Sequence, residues 1–496
     1  MITFGEAVIP VSSFLGLFFL LALIKVIHKL WWTPIRIQRL MAVQGIKGPS
    51  YRFIHGNTKQ ISAMKKESIS RASEGLSHKI FPKVLPHIDS WTGVYGRNYL
   101  QWHGSQPQLV VTEPEFIKEV LNNRNKAYPK EEVKGFVRKL FGDGLVTAEG
   151  EKWAKLRKQA NYAFHGESLK GMNPAMISSA EIMLERWKNY EGKEVEVFKE
   201  FRLLTAEVIS RTAFGSSYLE GKKLFDMLKK LGFLTSRNAL KVRFPGFSKF
   251  FKTKDEIESE MLEKEMRNCV MEIIKKREEK VMSGEEDSFG SDFLGVLIKA
   301  HHDADEKQRI SEDDLVDECK TFYLVGQETT NVLLSWTVLL LAVHTDWQEE
   351  ARIEMSMIIN ESLRLYPPAV NVIRKVGREV RFGKLILPAN LSLHVSNLAV
   401  HHDPQIWGED VHQFKPERFS EGIAKATNNN AAAFFPFGMG PRNCVGMNFA
   451  MTEAKIALSM ILQHYSFALS PAYVHSPFQF PTLQPQHGIQ VILQSL

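Results

Sequence analysis

The sequence predicts a mainly α protein with small β-sheets, built as one large globular unit behind a single N-terminal membrane helix. Three observations carry that expectation. Helical periodicity fills long stretches, among them residues 205–214, 253–282, 312–344, 355–366 and 445–464. Strand-like alternation is confined to short pieces such as 108–112, 380–387, 391–395 and 489–493. The chain also begins with eighteen uncharged residues, 7–24, dense in Leu, Phe and Ile, close to the length that crosses a hydrocarbon core.

Glu6 precedes that run, whereas Lys25, His28, Lys29, Arg36 and Arg39 follow it, with Trp31 and Trp32 placed as interfacial aromatics. The excess of positive charge after the run puts the rest of the chain on the cytosolic side. A cleaved signal peptide needs positive charge before the run and small residues after it, and neither is present. Residues 1–30 therefore read as a membrane anchor and 31–496 as the catalytic domain. The segment 45–50, GIKGPS, reads as a stiff turn between them.

No repeat or Pro/Gly/Ser-rich linker divides the remainder. Cys269, Cys319 and Cys444 are odd in number, far apart and without C-x-x-C spacing, which argues against disulfides and zinc and for a reducing compartment. A net charge of +7, with no concentrated basic run, gives no footprint for nucleic acid. Residues 283–291 are polar and read as a loop, and the alternating Lys and Glu after Thr253 read as a solvated outer helix. The stretch 321–343 is no second span, because Gln327, Glu328, Thr329, Thr330 and Asn331 leave only 332–343 apolar. It reads as a helix buried in protein, whose polar middle must be paired or used.

Chemistry concentrates at 437–446, FGMGPRNCVG, where Cys444 sits in a glycine-rich turn before the helix expected over 445–464. The unpaired amides and positive end of that helix favour a thiolate. Gly438, Gly440 and Gly446 allow backbone angles and a close approach that would let a flat cofactor lie against the loop. A lone cysteine is ordinarily a buried thiol. Here, though, the whole pattern F-x-x-G-x-R-x-C-x-G is present from Phe437, and it resembles the haem-thiolate signature of the cytochrome P450 monooxygenases.

Further motifs extend the resemblance over nearly the whole chain. Glu361 and Arg364, followed by Tyr366, Pro367 and Pro368, resemble the family's E-x-x-R helix, and 416–419, PERF, its arginine segment. The resemblance implies a buried network of Glu361, Arg364 and Arg418 that locks the cysteine loop to the core. Residues 325–330, VGQETT, resemble the oxygen-activating stretch: Gly326 would leave room for dioxygen, Thr329 would place a hydroxyl beside it and Glu328 would feed protons. Val325 stands where the family often has a smaller residue. Trp153 and Arg157, with Arg374 and Arg442, match residues that contact haem propionates. Residues 402–408 and 469–473 resemble the plant clan that oxidises gibberellins, brassinosteroids and triterpenoids.

The resemblance implies haem b (iron protoporphyrin IX) ligated by Cys444, a lipophilic small-molecule substrate, O2, and NADPH-cytochrome P450 reductase as electron donor. Its location would be the endoplasmic reticulum membrane, single-pass, facing the cytosol. Lys152, Lys155 and Lys158 are candidates for the reductase-docking face, and 322–324, 369–373 and 481–483 for substrate contacts. A haem-thiolate isomerase or dehydratase would share Cys444. One departure stands out: only thirteen residues, 348–360, separate Trp347 from Glu361, where the family inserts a further helix and loop. A connector this short could strain the Glu361 network or merge two helices, which makes haem binding less certain than the motifs imply and leaves a non-catalytic relative as an alternative reading.

Overall fold

The computed structural model describes residues 4–71, 75–242, 252–351 and 354–496. A helix over Phe4–Ile27 runs through a short π-helical turn, His28–Trp32, into a second helix, Thr33–Val43. From Phe14 onward its apolar side chains point outward, and it alone among the described helices is long and apolar enough to cross a membrane. The 45–50 turn then seats on the first strand of the globular unit. Leu100 donates its N–H to the Lys47 carbonyl at 2.9 Å, and a side chain on Gly48 would lie 1.8 Å from the Leu100 carbonyl oxygen.

The strands are β1 (Asn98–His103), β2 (Gln106–Val111), β3 (Glu194–Glu196), β4 (Val372–Lys375), β5 (Val380–Phe382), β6 (Leu385–Leu387), β7 (Ser392–Val395), β8 (Tyr465–Leu469), β9 (Pro477–Phe480), β10 (Thr482–Pro485) and β11 (Gln490–Ser495). They form a sheet of order β1-β2-β7-β4, in which only β2 and β7 run parallel, a sheet β3-β11-β8, and the hairpins β9-β10 and β5-β6. The expected single strand over 380–387 is thus two, because Gly383 turns the chain with φ +55°.

Helices supply the rest. The central helix, Glu312–Val343, starts at a reciprocal cap between Ser311 and Asp314 and is buried from Leu315 to Ala342 except at Asp317, Val325, Gly326 and Thr329. Along it packs the helix Val197–Phe214, longer than expected because the Glu196 carboxylate caps it early. Phe214 stacks on Tyr323 at 3.8 Å, and Thr205 Oγ1 donates to the Gln327 carbonyl at 2.9 Å. The outer helix, Lys254–Met282, begins at a Thr253–Glu256 capping box. The cysteine helix is Met447–His464, two residues shorter at its start than expected. The short connector does not merge its neighbours: Trp347–Glu350 and Met355–Leu365 are separate helices, and Gln348 is clamped by the Leu341 carbonyl and by both backbone groups of Phe467.

Candidate active site

Backbone bonds shape the cysteine loop. Gly438 (φ +76°) donates to the Phe435 carbonyl at 2.9 Å, and Cys444 donates to the Phe437 carbonyl at 2.8 Å. At Gly440 (φ +70°) any side chain would meet the Leu121 carbonyl oxygen at 2.5 Å. Cys444 is accessible, although protein encloses it on nearly every side, so its surface borders space inside the molecule. Burial pushes its thiol up, opposed by the Gly446 N–H and by Arg157. The helix starts beyond Cys444, at Met447, so the amide that reaches the sulfur is that of Gly446, just ahead of the helix. A cation bound to the sulfur would displace the proton.

Beside the loop lies an excess of positive charge. Arg442 pairs with Glu149 at 2.7 Å, donates to the Ala148 carbonyl at 2.8 Å, and stacks over the Trp153 ring at 4.2 Å. Arg374 is buried, and its bond within the protein goes to the neighbouring Ile373 carbonyl at 2.9 Å. Burial and Arg442 push it down to about 10. Burial together with Arg374 and Arg442 pushes Lys130 down to about 7, with Glu149 opposing. Three cations share one carboxylate, so the site suits a group carrying two negative charges. Arg157 reaches the cysteine loop itself. It donates to the Asn443 carbonyl at 2.6 Å and to Asn443 Oδ1 at 3.0 Å, so it braces the residue before Cys444.

On the central helix, Val325 and Thr329 lie one turn apart and, with Gly326, are partly accessible between buried neighbours. Thr329 Oγ1 donates to the Val325 carbonyl at 2.7 Å. Gly326, partly accessible as well, lies against Ile209: a side chain there would meet Ile209 at 2.7 Å, so the glycine allows the two helices to pack closely. The Glu328 carboxyl turns away, accepting from Thr482 at 3.0 Å and from Gln484, both on β10, and burial pushes it up.

The Glu361 network is assembled. Arg364 donates from Nε and Nη2 to the two oxygens of Glu361, each at 2.7 Å, and from Nη1 to the His401 carbonyl at 2.9 Å. Arg418 Nε stands 3.6 Å from Glu361 and is held by the carbonyls of Trp407 and Asp410 and by the Asp410 carboxylate at 2.6 Å. The His401 ring accepts the Phe435 N–H at 3.2 Å, and so carries the network into the cysteine loop. His401, Asp410, Glu149 and Lys130 were not anticipated: each is a lone residue at its position, and only the folded chain brings it to the site. Asn443, inside the motif, was passed over as filler.

A family model for Cytochrome P450 matches residues 87–493. The chain is a cytochrome P450. It is 57% identical to cytochrome P450 CYP749A22 of Panax ginseng, over 98% of this chain and 96% of that one. It is 41% identical to 11-oxo-beta-amyrin 30-oxidase of Glycyrrhiza uralensis, over 95% of each, and 39% identical to cytokinin hydroxylase of Arabidopsis thaliana, over 94% of each. The Panax alignment runs over 505 positions, more than the 496 residues here, so that P450 carries residues this one lacks. A retinoic acid-bound cyanobacterial CYP120A1 superimposes with a TM-score of 0.71 at 23% identity, over 82% of this chain and 93% of that one, and shares the fold. As a P450 the chain is a monooxygenase whose cofactor is haem b.

Proposed function

We propose that this P450 hydroxylates a lipophilic small molecule with O2 and with electrons from NADPH-cytochrome P450 reductase, at the endoplasmic reticulum membrane and facing the cytosol. The observation that carries the reading is the pairing of an enclosed yet accessible Cys444 with a cluster of cations short of one negative charge or more. Bound haem supplies the activation of O2 and the oxidation of an unactivated C–H bond. The chain supplies position and charge. Cys444 is the sulfur ligand, with the Gly446 N–H aimed at it. Arg374, Arg442 and Lys130 neutralise the two propionates, with Trp153 stacked beneath Arg442. Arg157 reaches the cofactor indirectly, by fixing Asn443.

Thr329 holds a hydroxyl at this partly accessible turn, where it passes protons toward the oxygen site. Glu328, buried and pushed up, holds a proton one residue away but must leave Thr482 and Gln484 to deliver it. Phe322 and Leu324, with the 369–373 turn and Leu483, exclude water around the substrate. For the reductase, Lys152 is already paired with Asp143 and Asp314, whereas Lys155 and Lys158 on the same helix bond only the neutral Arg309 carbonyl and Gln308 amide among the described residues and so keep their charge for an acidic partner. The outward apolar helix beginning at Phe14 and the charges after it fix the protein to the membrane.

The test is spectroscopic and then catalytic. The reduced, carbon monoxide-bound protein is expected to show the red-shifted Soret band of thiolate ligation, and Cys444→Ala to lose it. Retention of that band by the alanine variant would overturn the assignment. Product formation from a terpenoid and hormone panel is expected only with NADPH, reductase and O2 together.

A further inference from the structure

On one face of the four-stranded sheet, Tyr99 stands opposite Val110, Val110 opposite His394, and His394 opposite Ile373. This row faces the helix Pro86–Tyr95, where His87 and Trp91 lie, and the helix Thr58–Ser70, which carries Lys65. Among the described residues, neither ring nitrogen of His394 makes a hydrogen bond, nor does His87 Nδ1, nor the Tyr99 hydroxyl, although His87 is 3% and Tyr99 0% exposed. Lys65 donates to Gln479 on β9, at 3.4 Å. The charges acting on the two imidazoles are Lys65 and, on His87, His394, with no carboxylate among them. Burial pushes His394 down to about 4.

The row ends on β4, the strand that follows the turn after the Glu361 helix. Ile373, next in the row, is 40% exposed although it is apolar, and it ends the turn that follows the Glu361 helix. The β9-β10 hairpin that carries Gln479 is tied to that turn by Leu483 N–H on the Pro368 carbonyl at 3.0 Å, and to the central helix by Trp336 Nε1 on the Leu483 carbonyl at 2.7 Å. His394 is partly accessible although protein surrounds it, as at Cys444. Its nitrogens are covered, so the accessible surface belongs to its other atoms, and a half-turn of the ring exchanges nitrogen for carbon at its edge.

Buried polar groups without partners are costly, and a set of donors with one ammonium and no acid is complementary to an oxyanion. We propose that Lys65, His87 and His394 recognise a carboxylate on an otherwise lipophilic substrate, with the Tyr99 hydroxyl as a further donor. This rests on the monooxygenase reading of the site and narrows its substrate class to lipophilic acids.

The test uses the haem-loaded, full-length protein and begins with the carbon monoxide spectrum. A missing thiolate Soret band refutes the functional reading before any ligand is added. Equilibrium dialysis then compares carboxylic acids with their methyl esters on three skeletons: a straight C12 chain, a diterpene and a pentacyclic triterpene. At least one acid is expected to bind about tenfold or more tightly than its ester, because a charge-assisted hydrogen bond is lost in the ester. Lys65→Met and His394→Phe are expected to bring that ratio to near one while leaving ester affinity and the Soret band unchanged. If no acid outbinds its ester, or if the preference survives both substitutions, the proposal is wrong.

Discussion

Four buried glutamates fall into two kinds of surroundings. Glu361 has Arg364 on both oxygens, Arg418 beyond, and the Lys415 N–H at 3.1 Å. The other three, on or against the central helix, have no bonded cation among the described residues. Glu318 accepts only from the Leu145 N–H and leaves Oε2 bare, Glu328 accepts from Thr482 and Gln484, and Glu453 faces Thr330 from the cysteine helix with neither oxygen in a well-formed bond. Burial pushes all three up. The first surroundings make a charged brace; the second favour the protonated form of the carboxyl.

The brace can be broken. Arg364→Ala leaves Glu361 buried without its main partner, and about 3–5 kcal/mol of stability should go. Because the same arginine holds the His401 carbonyl, and His401 holds Phe435, the cysteine loop should loosen as well. The expected outcome is little or no haem-loaded protein, read from the ratio of Soret to protein absorbance. Full loading would show that the brace and the loop are independent.

Acid probes the brace from another side. Burial and Arg364 hold His401 down at about 3, against an ordinary imidazole near 6.5. Its folded pKa is depressed, so the unfolded chain binds the extra proton. Stability is therefore complete above about pH 6.5 and falls as the pH drops toward 3. His401 alone should contribute about 2 kcal/mol of loss between pH 6.5 and 5, with His78 (about 3) and His475 (about 4) acting in the same direction. Thermal midpoints across that range check it, and a flat profile would mean these rings are not neutral in the fold.

Gly326→Ala sharpens the account of the central helix. The added methyl meets Ile209 at 2.7 Å and should cost about 1–2 kcal/mol. Ile209→Val in the same chain should restore most of the loss. If haem loading and stability recover but turnover does not, the glycine matters to the oxygen pocket as well.

The brace was far more legible in the sequence than the pocket. E-x-x-R puts Glu361 and Arg364 one helical turn apart, the family resemblance implied that Arg418 joins them, and in the fold the three meet. The central helix was legible as an element, since a capped stretch of more than thirty residues interrupted only by polar ones has few other solutions. Which way its side chains point was not. Gly326 and Glu328 sit within four residues of Thr329, yet a step of about 100° per residue sends one to Ile209 and the other to β10. Lys130, Glu149 and His401 were invisible because their partners lie far away in the chain.

A titration bears on the other half of the comparison. Burial pushes Glu318 up to about 8, with Asp317 and Asp314 adding to the rise and the Leu145 N–H opposing it. A raised carboxyl works opposite to His401: the folded state keeps the proton, so stability is lost as pH rises from the ordinary value near 4.5 toward 8. Glu318→Gln removes that ionisation, while its carbonyl oxygen can still accept from Leu145. The parent alone should lose about 3 kcal/mol between pH 5 and 8, while an amide group set where Oε2 had no partner costs the variant the same at every pH, so the variant should lie about 2 kcal/mol below the parent near pH 5 and about 1 kcal/mol above it near pH 8. A gain that does not depend on pH would mean that Glu318 is already charged at pH 5. The central helix would then hold a buried anion without a cation, and the division between charged brace and protonated carboxyl would fail at that residue.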